Sequence, residues 1–263
     1  MIILGLAYGI YEEALVVYSV FDPLWEELGA LSHYGRFIGI NWTWAAMTFQ
    51  FHTLISICSS IIITELLYPS RRNQPWLRKK YFYLCLSGLI AWIPVMGFIM
   101  ITYSGRAFPP IGLYCISLIA VTLLVWIAYR LPKHLFPIVV RSVPNPILFF
   151  LIGLINMSVF FVSVYLTAEY NFPPLICTMM FLIVLEAITL LAINYCSGNG
   201  YCWDDRHVLA LISGFLGFFI YFCFNKDVEH WTGRSIVGII AIVGLGLLFR
   251  LVNRHVKLTA HVR

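Results

Sequence analysis

The chain has 263 residues, of which 61% are hydrophobic and 11% charged, with a net charge of +5 and a mean hydropathy of +0.87. Soluble domains carry about 25% charged residues, so this composition excludes an ordinary soluble domain and indicates a polytopic membrane protein. The positive balance does not call for nucleic acid as a partner, because the basic residues gather in loops between apolar runs, as the topology of membrane proteins demands.

A run of about 20 apolar residues is long enough to cross a bilayer as a helix. Read between charged or proline-rich breaks, the sequence predicts eight spans, at 2–20, 38–67, 81–103, 111–130, 146–168, 173–195, 207–224 and 234–252, in a single all-α transmembrane domain over 1–263. The first span follows no basic leader and precedes no small-residue cleavage site, so it is expected to remain in the protein. The loop after the second span holds Arg71, Arg72, Arg78, Lys79 and Lys80, the one after the fourth holds Lys133 and Arg141, and the tail holds Arg254, Lys257 and Arg263. All three fall on one side by parity, and the other side carries Asp22, Glu26, Glu27 and Glu169. The positive-inside rule therefore predicts that both termini are cytoplasmic. Asp204 and Asp205, beside Arg206 in the 196–206 loop, run against that pattern. Trp25, Trp42, Trp44 and Trp231 are expected at the outer interface and Trp76 and Trp203 at the inner one. Prolines at 109, 110, 144, 146, 173 and 174 open helices, where a missing N–H has no intrahelical partner to lose.

Most of the seven cysteines fall inside apolar runs and are expected to act as small packing groups, not as a disulfide framework. Cys196, Cys202, Asp204, Asp205 and His207 lie close in sequence, but their spacing matches no standard zinc site. No motif specifies a cofactor.

Polar residues inside the spans carry the functional signal, because an ionisable group at membrane depth costs several kcal/mol and normally faces the bundle interior. On the second span Asn41, Ala45, Thr48, His52, Ser56 and Ser59 step by three or four and form one stripe. Gly153, Asn156, Phe160, Ser163 and Thr167 do the same on the fifth, and Thr178, Leu182, Glu186 and Thr189 on the sixth. Helical rise puts Glu12 and Glu13 roughly 17 Å deep, His52 roughly 22 Å, Asn156 roughly 15 Å and Glu186 roughly 14 Å, all near the middle of a core of about 30 Å. Adjacent residues of a helix point about 100° apart, so at most one of the two glutamates aims at His52. Glu12, Glu13 and His52 are the candidate catalytic residues, since a desolvated carboxyl beside an imidazole is a plausible base for activating water. Arg36 and Asn41, at the mouth of the stripe, are expected to orient an anionic substrate group, with Thr48, Asn156 and Glu186 as further substrate-binding candidates.

Two resemblances follow from these residues. YGI-x-EE at Tyr8 to Glu13, FDP-x-W at Phe21 to Trp25, YGR-x-x-G-x-NW-x-W at Tyr34 to Trp44, then His52 and PSRR-x-x-PW at Pro69 to Trp76 resemble a group of uncharacterised prokaryotic polytopic membrane proteins. Some relatives in that group begin with extra helices before YGI, so the resemblance implies the expectation that Met1 opens a shortened version. More narrowly, the Glu12–Glu13 pair followed by His52 in the next span resembles the CPBP family of intramembrane glutamic proteases. That family places an arginine where this chain has Val17, a phenylalanine where it has Thr48, and a later His-x-x-x-Asn that has no counterpart here. This second resemblance implies hydrolysis of lipid-embedded or prenylated peptides, with Glu12 or Glu13 as base. The alternatives that the same residues allow are a proton-coupled transporter, in which Glu186 joins them, and a non-catalytic subunit or scaffold that binds lipid, pigment or a partner helix.

Overall fold

Backbone polar groups within hydrocarbon must be satisfied inside the segment that carries them. The computed structural model, which describes residues 1–102, 105–132, 137, 139–225 and 233–260, is accordingly helical almost throughout. Among the described residues the α-helices are α1 Ile2–Ile10, α2 Trp42–Phe51, α3 Ser60–Leu67, α4 Lys79–Thr102, α5 Ile111–Arg130, α6 Pro146–Tyr170, α7 Leu175–Cys196, α8 Asp205–Phe222 and α9 Arg234–Ala260. Two π-helical segments interrupt them: π1, Tyr11–Val16, prolongs α1, and π2, His52–Ser59, joins α2 to α3 in one continuous run from Trp42 to Leu67. The strands β1 Arg36–Phe37 and β2 Ile40–Asn41 form a two-residue antiparallel ladder, with Arg36 opposite Asn41.

Among the described residues seven helical runs are long and apolar enough to cross a membrane: Trp42–Leu67, Lys79–Thr102, Ile111–Arg130, Pro146–Tyr170, Leu175–Cys196, Asp205–Phe222 and Arg234–Lys257. They lie within a few residues of seven of the eight expected spans; the second starts at Trp42 and not at 38, because Ile40 and Asn41 form β2, and the last helix continues past 252. The expected first span, 2–20, is shorter. Its helix stops at Val16, so it reaches only about 22 Å of a core about 30 Å thick. The cause is local: Tyr18 takes a left-handed backbone, φ +65°, and the chain folds back so that Ser19 meets Glu13 instead of continuing the helix. Lys133, Trp231, Arg263 and the final residue of the expected 81–103 span lie outside the described residues.

Contacts group the chain into two compact units, the first of Met1–Cys58, Ser70–Lys133 and Ser163–Met180, the second of Ser59–Pro69, His134–Val162 and Phe181–Arg263. In the first unit α1 packs on α2 and α5. Gly5 and Gly9 set the distance to α2, because a Cβ on Gly5 would lie 2.8 Å from the Thr53 Cα and one on Gly9 would lie 3.0 Å from the Phe49 Cα. Small residues four apart permit such close helix approach in membranes. The loop between π1 and α2 is tied down by charge: Arg106 pairs with Asp22 at 2.6 Å and with Glu26 at 3.4 Å while its guanidinium covers the Trp25 ring.

In the second unit Gly153 on α6 and Gly214 on α8 meet backbone to backbone, leaving no room for a Cβ on either. Leu66 of α3, Leu209 and Ile212 of α8, and Leu248 and Val252 of α9 form a buried cluster. The N-terminus of α8 is held by Asp204, which accepts from the backbone N–H groups of Arg206 and His207. Two of the orphan donors of the first turn are thereby satisfied, a cap worth about 1 kcal/mol. Burial raises the Asp204 pKa, but hydrogen bonds from Arg206 and His207 outweigh it, and the net shift is below the ordinary carboxyl range.

Candidate functional site

The first unit brings Glu12, Glu13 and His52 together. Glu13 Oε1 lies 2.9 Å from His52 Nε2, and Glu12 Oε2 lies 3.4 Å from His52 Nδ1. Nδ1 is also 3.1 Å from the Ser56 hydroxyl. The imidazole thus stands between two carboxylates, one at each ring nitrogen. With Glu13 ionised, Nε2–H donates to it; a neutral ring then accepts from Ser56 at Nδ1, and a protonated ring donates towards Glu12.

The two glutamates have different surroundings. Glu13 is buried, with side-chain exposure of 11%, whereas the Glu12 side chain is 33% exposed. The second oxygen of Glu13 accepts from the Ser19 hydroxyl, and Ser19 Oγ in turn accepts from Trp44 Nε1 at 2.9 Å. Glu12 is hydrogen-bonded by the Tyr8 hydroxyl. Tyr8 and Phe51 both set ring edges against the imidazole, with centroids 5.6 and 5.4 Å away, so the ring cannot tilt freely. Polar contacts therefore run without a break from Trp44 through Ser19, Glu13 and His52 to Glu12 and Tyr8.

Both halves of this group sit on π-helical backbone, Glu12 and Glu13 in the first turn of π1 and His52 at the start of π2. Short π segments within α-helices occur often at functional sites, because the wider turn re-aims side chains. Here the wider turn changes the angle between the glutamates, which lets both reach one imidazole. The strict 100° step had allowed only one.

The remaining expected site residues have other surroundings. Asn41 is fully buried and caps α2, accepting from Trp44 N at 3.0 Å and donating to the Leu31 carbonyl at 2.7 Å. Arg36 donates to the carbonyls of Phe21 and Asp22 at 3.0 and 3.2 Å; burial lowers its pKa, with Asp22 opposing that shift. Thr48 donates back to the Trp44 carbonyl at 3.1 Å, within its own helix. The hydrogen bonds of these three go to the chain itself. Asn156 and Glu186 belong to the second unit, where Asn156 Nδ2 donates to Glu186 Oε1 at 2.8 Å and to Thr189 Oγ1 at 3.1 Å. Among the described residues no group of three or more His, Cys, Asp and Glu is placed to hold a metal.

Tyr8, Ser19 and Trp44 were not singled out as site residues by their sequence positions. Trp44, expected at the outer interface, is 5% exposed and points into the protein, because its indole N–H holds Ser19 against Glu13. A signal for the inward glutamate did exist: Gly5, Gly9 and Glu13 step by four and share the face of the first helix that approaches α2.

No curated protein and no solved structure matches this sequence. A family model described as "Uncharacterized membrane protein family" matches residues 1–254. Taken with the apolar helices, that match over nearly the whole length makes this an integral membrane protein, and the chain belongs to that family.

Proposed function

We propose that the chain is an intramembrane hydrolase of the glutamate–histidine type, acting on lipid-embedded or prenylated peptides. The observation that carries the reading is the single imidazole held between a buried and a partly exposed carboxylate, 2.9 and 3.4 Å away. Glu12, the more accessible of the two, is the general base: it accepts a proton from a water whose oxygen attacks the scissile carbonyl, and returns it to the leaving amine. His52 stabilises charge on Glu12 as that proton moves. Glu13, fixed by Ser19, positions His52 and sets which ring nitrogen carries hydrogen. Such positioned acid–base groups contribute about 10²- to 10⁴-fold to rate.

The test is turnover of a prenylated or membrane-embedded reporter peptide by the purified full-length protein in proteoliposomes. Glu12→Gln and His52→Ala are expected to abolish cleavage while the melting profile of Glu12→Gln stays that of the wild type. Cleavage by Glu12→Gln at the wild-type rate sinks the reading.

A second reading is a proton-coupled carrier, favoured by the unbroken polar run from Trp44 to Tyr8 and by the mid-helix Asn156–Glu186 pair of the second unit. It predicts uptake into proteoliposomes that follows an imposed pH gradient and is lost in Glu186→Gln. A scaffold without turnover is what remains if neither activity is found.

For orientation we propose cytoplasmic termini. Supporting this, basic residues gather after the second span, at Arg71, Arg72, Arg78, Lys79 and Lys80, and after the last, at Arg254 and Lys257, which parity puts on one side. Positive charge concentrated at one end marks the cytoplasmic side.

A further inference from the structure

In the second unit α6, α8 and α9 leave an apolar groove of about 460 Å³, walled by Phe150, Ala210, Gly217, Ile242, Gly246 and Phe249 among others. We propose that this groove holds one acyl chain of an anionic phospholipid, with the phosphate seated at Arg206 and Arg250.

The size fits. From Ala210 to Ile220 along α8 the groove runs about 15 Å, half of a hydrocarbon core about 30 Å thick and therefore one leaflet's chain length. Its wall is almost entirely carbon, with the Ser213 hydroxyl as a polar exception, which suits an alkyl chain and gives no anchor to a polar ligand.

The charge at one end identifies the lipid class. Arg206 lies four residues before Ala210 and Arg250 four after Gly246, so each continues the groove face of its helix by about one turn. Both turns are at the same end, because Leu209 and Ile212 near the start of α8 pack on Leu248 and Val252 near the end of α9. Pro146, the first residue of α6, also lines the groove, and the partial positive charge of a helix N-terminus there favours an anion. Asp204 takes Nε and Nη2 of Arg206, leaving Nη1 outside that pair, and Arg250 is exposed. Asp205 is one position round from Arg206, aligned with Leu209 and the buried cluster, and does not share the groove face.

The experiment is lipid binding to the purified full-length protein in detergent, read by native mass spectrometry with phosphatidylglycerol and phosphatidylcholine as probes. Phosphatidylglycerol is expected to bind more tightly, and Arg206→Gln with Arg250→Gln to remove the preference, each charge being worth about five-fold. A Cβ on Gly246 has nothing within 4 Å, so Gly246→Phe can enter the groove without disturbing the helices. That variant is expected to lose retained lipid of both classes. Equal binding of the two lipids, a preference unchanged in the arginine double variant, or full retention by a normally melting Gly246→Phe protein would each overturn the proposal.

Discussion

His52 meets an acceptor or donor at both ring nitrogens, and this decides what its removal does. His52→Ala leaves Glu13 buried without its counter-group; breaking a buried pair in this one-sided way costs roughly 3–5 kcal/mol, so a clear drop in melting temperature is expected alongside loss of activity. Glu12, one-third exposed, tolerates conversion to Gln with a much smaller effect on melting. Comparing thermal melts of the two variants checks the assignment of Glu13 as the structural and Glu12 as the reactive member. Equal destabilisation by Glu12→Gln and His52→Ala would reverse it. That a glutamate of this pair meets His52 was legible in the sequence, because charged residues at membrane depth are too costly to be incidental; that both reach the ring was not. The part played by Ser19 and Trp44 was not, since each is an ordinary residue until the reversal at Tyr18 brings them beside Glu13.

Between helices, the close crossings depend on glycine. Gly9→Leu would drive a branched side chain into Phe49, push α1 from α2 and lengthen the Glu13–His52 bond, so activity should fall by an order of magnitude or more even though no polar group is changed. Activity retained by Gly9→Leu would separate the site from the crossing. Away from the site, Asn156→Ala removes two interhelical hydrogen bonds and should cost about 1 kcal/mol in a reversible unfolding titration, at roughly 0.6 kcal/mol each. The start of α8 carries a pH dependence. Because the Asp204 pKa is depressed in the folded protein, its contribution is fully present above the ordinary carboxyl value near 3.8 and is lost as pH falls through the lower, folded value. An acid melt of Asp204→Ala should therefore show a flatter decline below about pH 4 than the wild type, from a starting stability about 1 kcal/mol lower.

Across the whole molecule, cytoplasmic placement of the basic ends predicts that a thiol reagent that cannot cross membranes labels a cysteine at Asn73 only after the cells are opened, and one at Gly29 without opening them. The reverse pattern would invert the topology. Seven of the spans were set by the sequence alone, since a long apolar run has no alternative in a bilayer but to become a helix. The presence of a glutamate–histidine centre followed from composition and depth. What the tertiary structure decided was geometry: that the first helix stops at Val16, that two π-helical segments aim both glutamates at one ring, and that Arg36 and Asn41 are used to hold a loop. Hydropathy measures the transfer of each residue from water, and this is a local property that sequence carries in full. Which donor meets which acceptor depends on backbone turns and helix approach, and those are fixed only when glycine faces, reversed loops and buried hydroxyls from distant positions pack against one another.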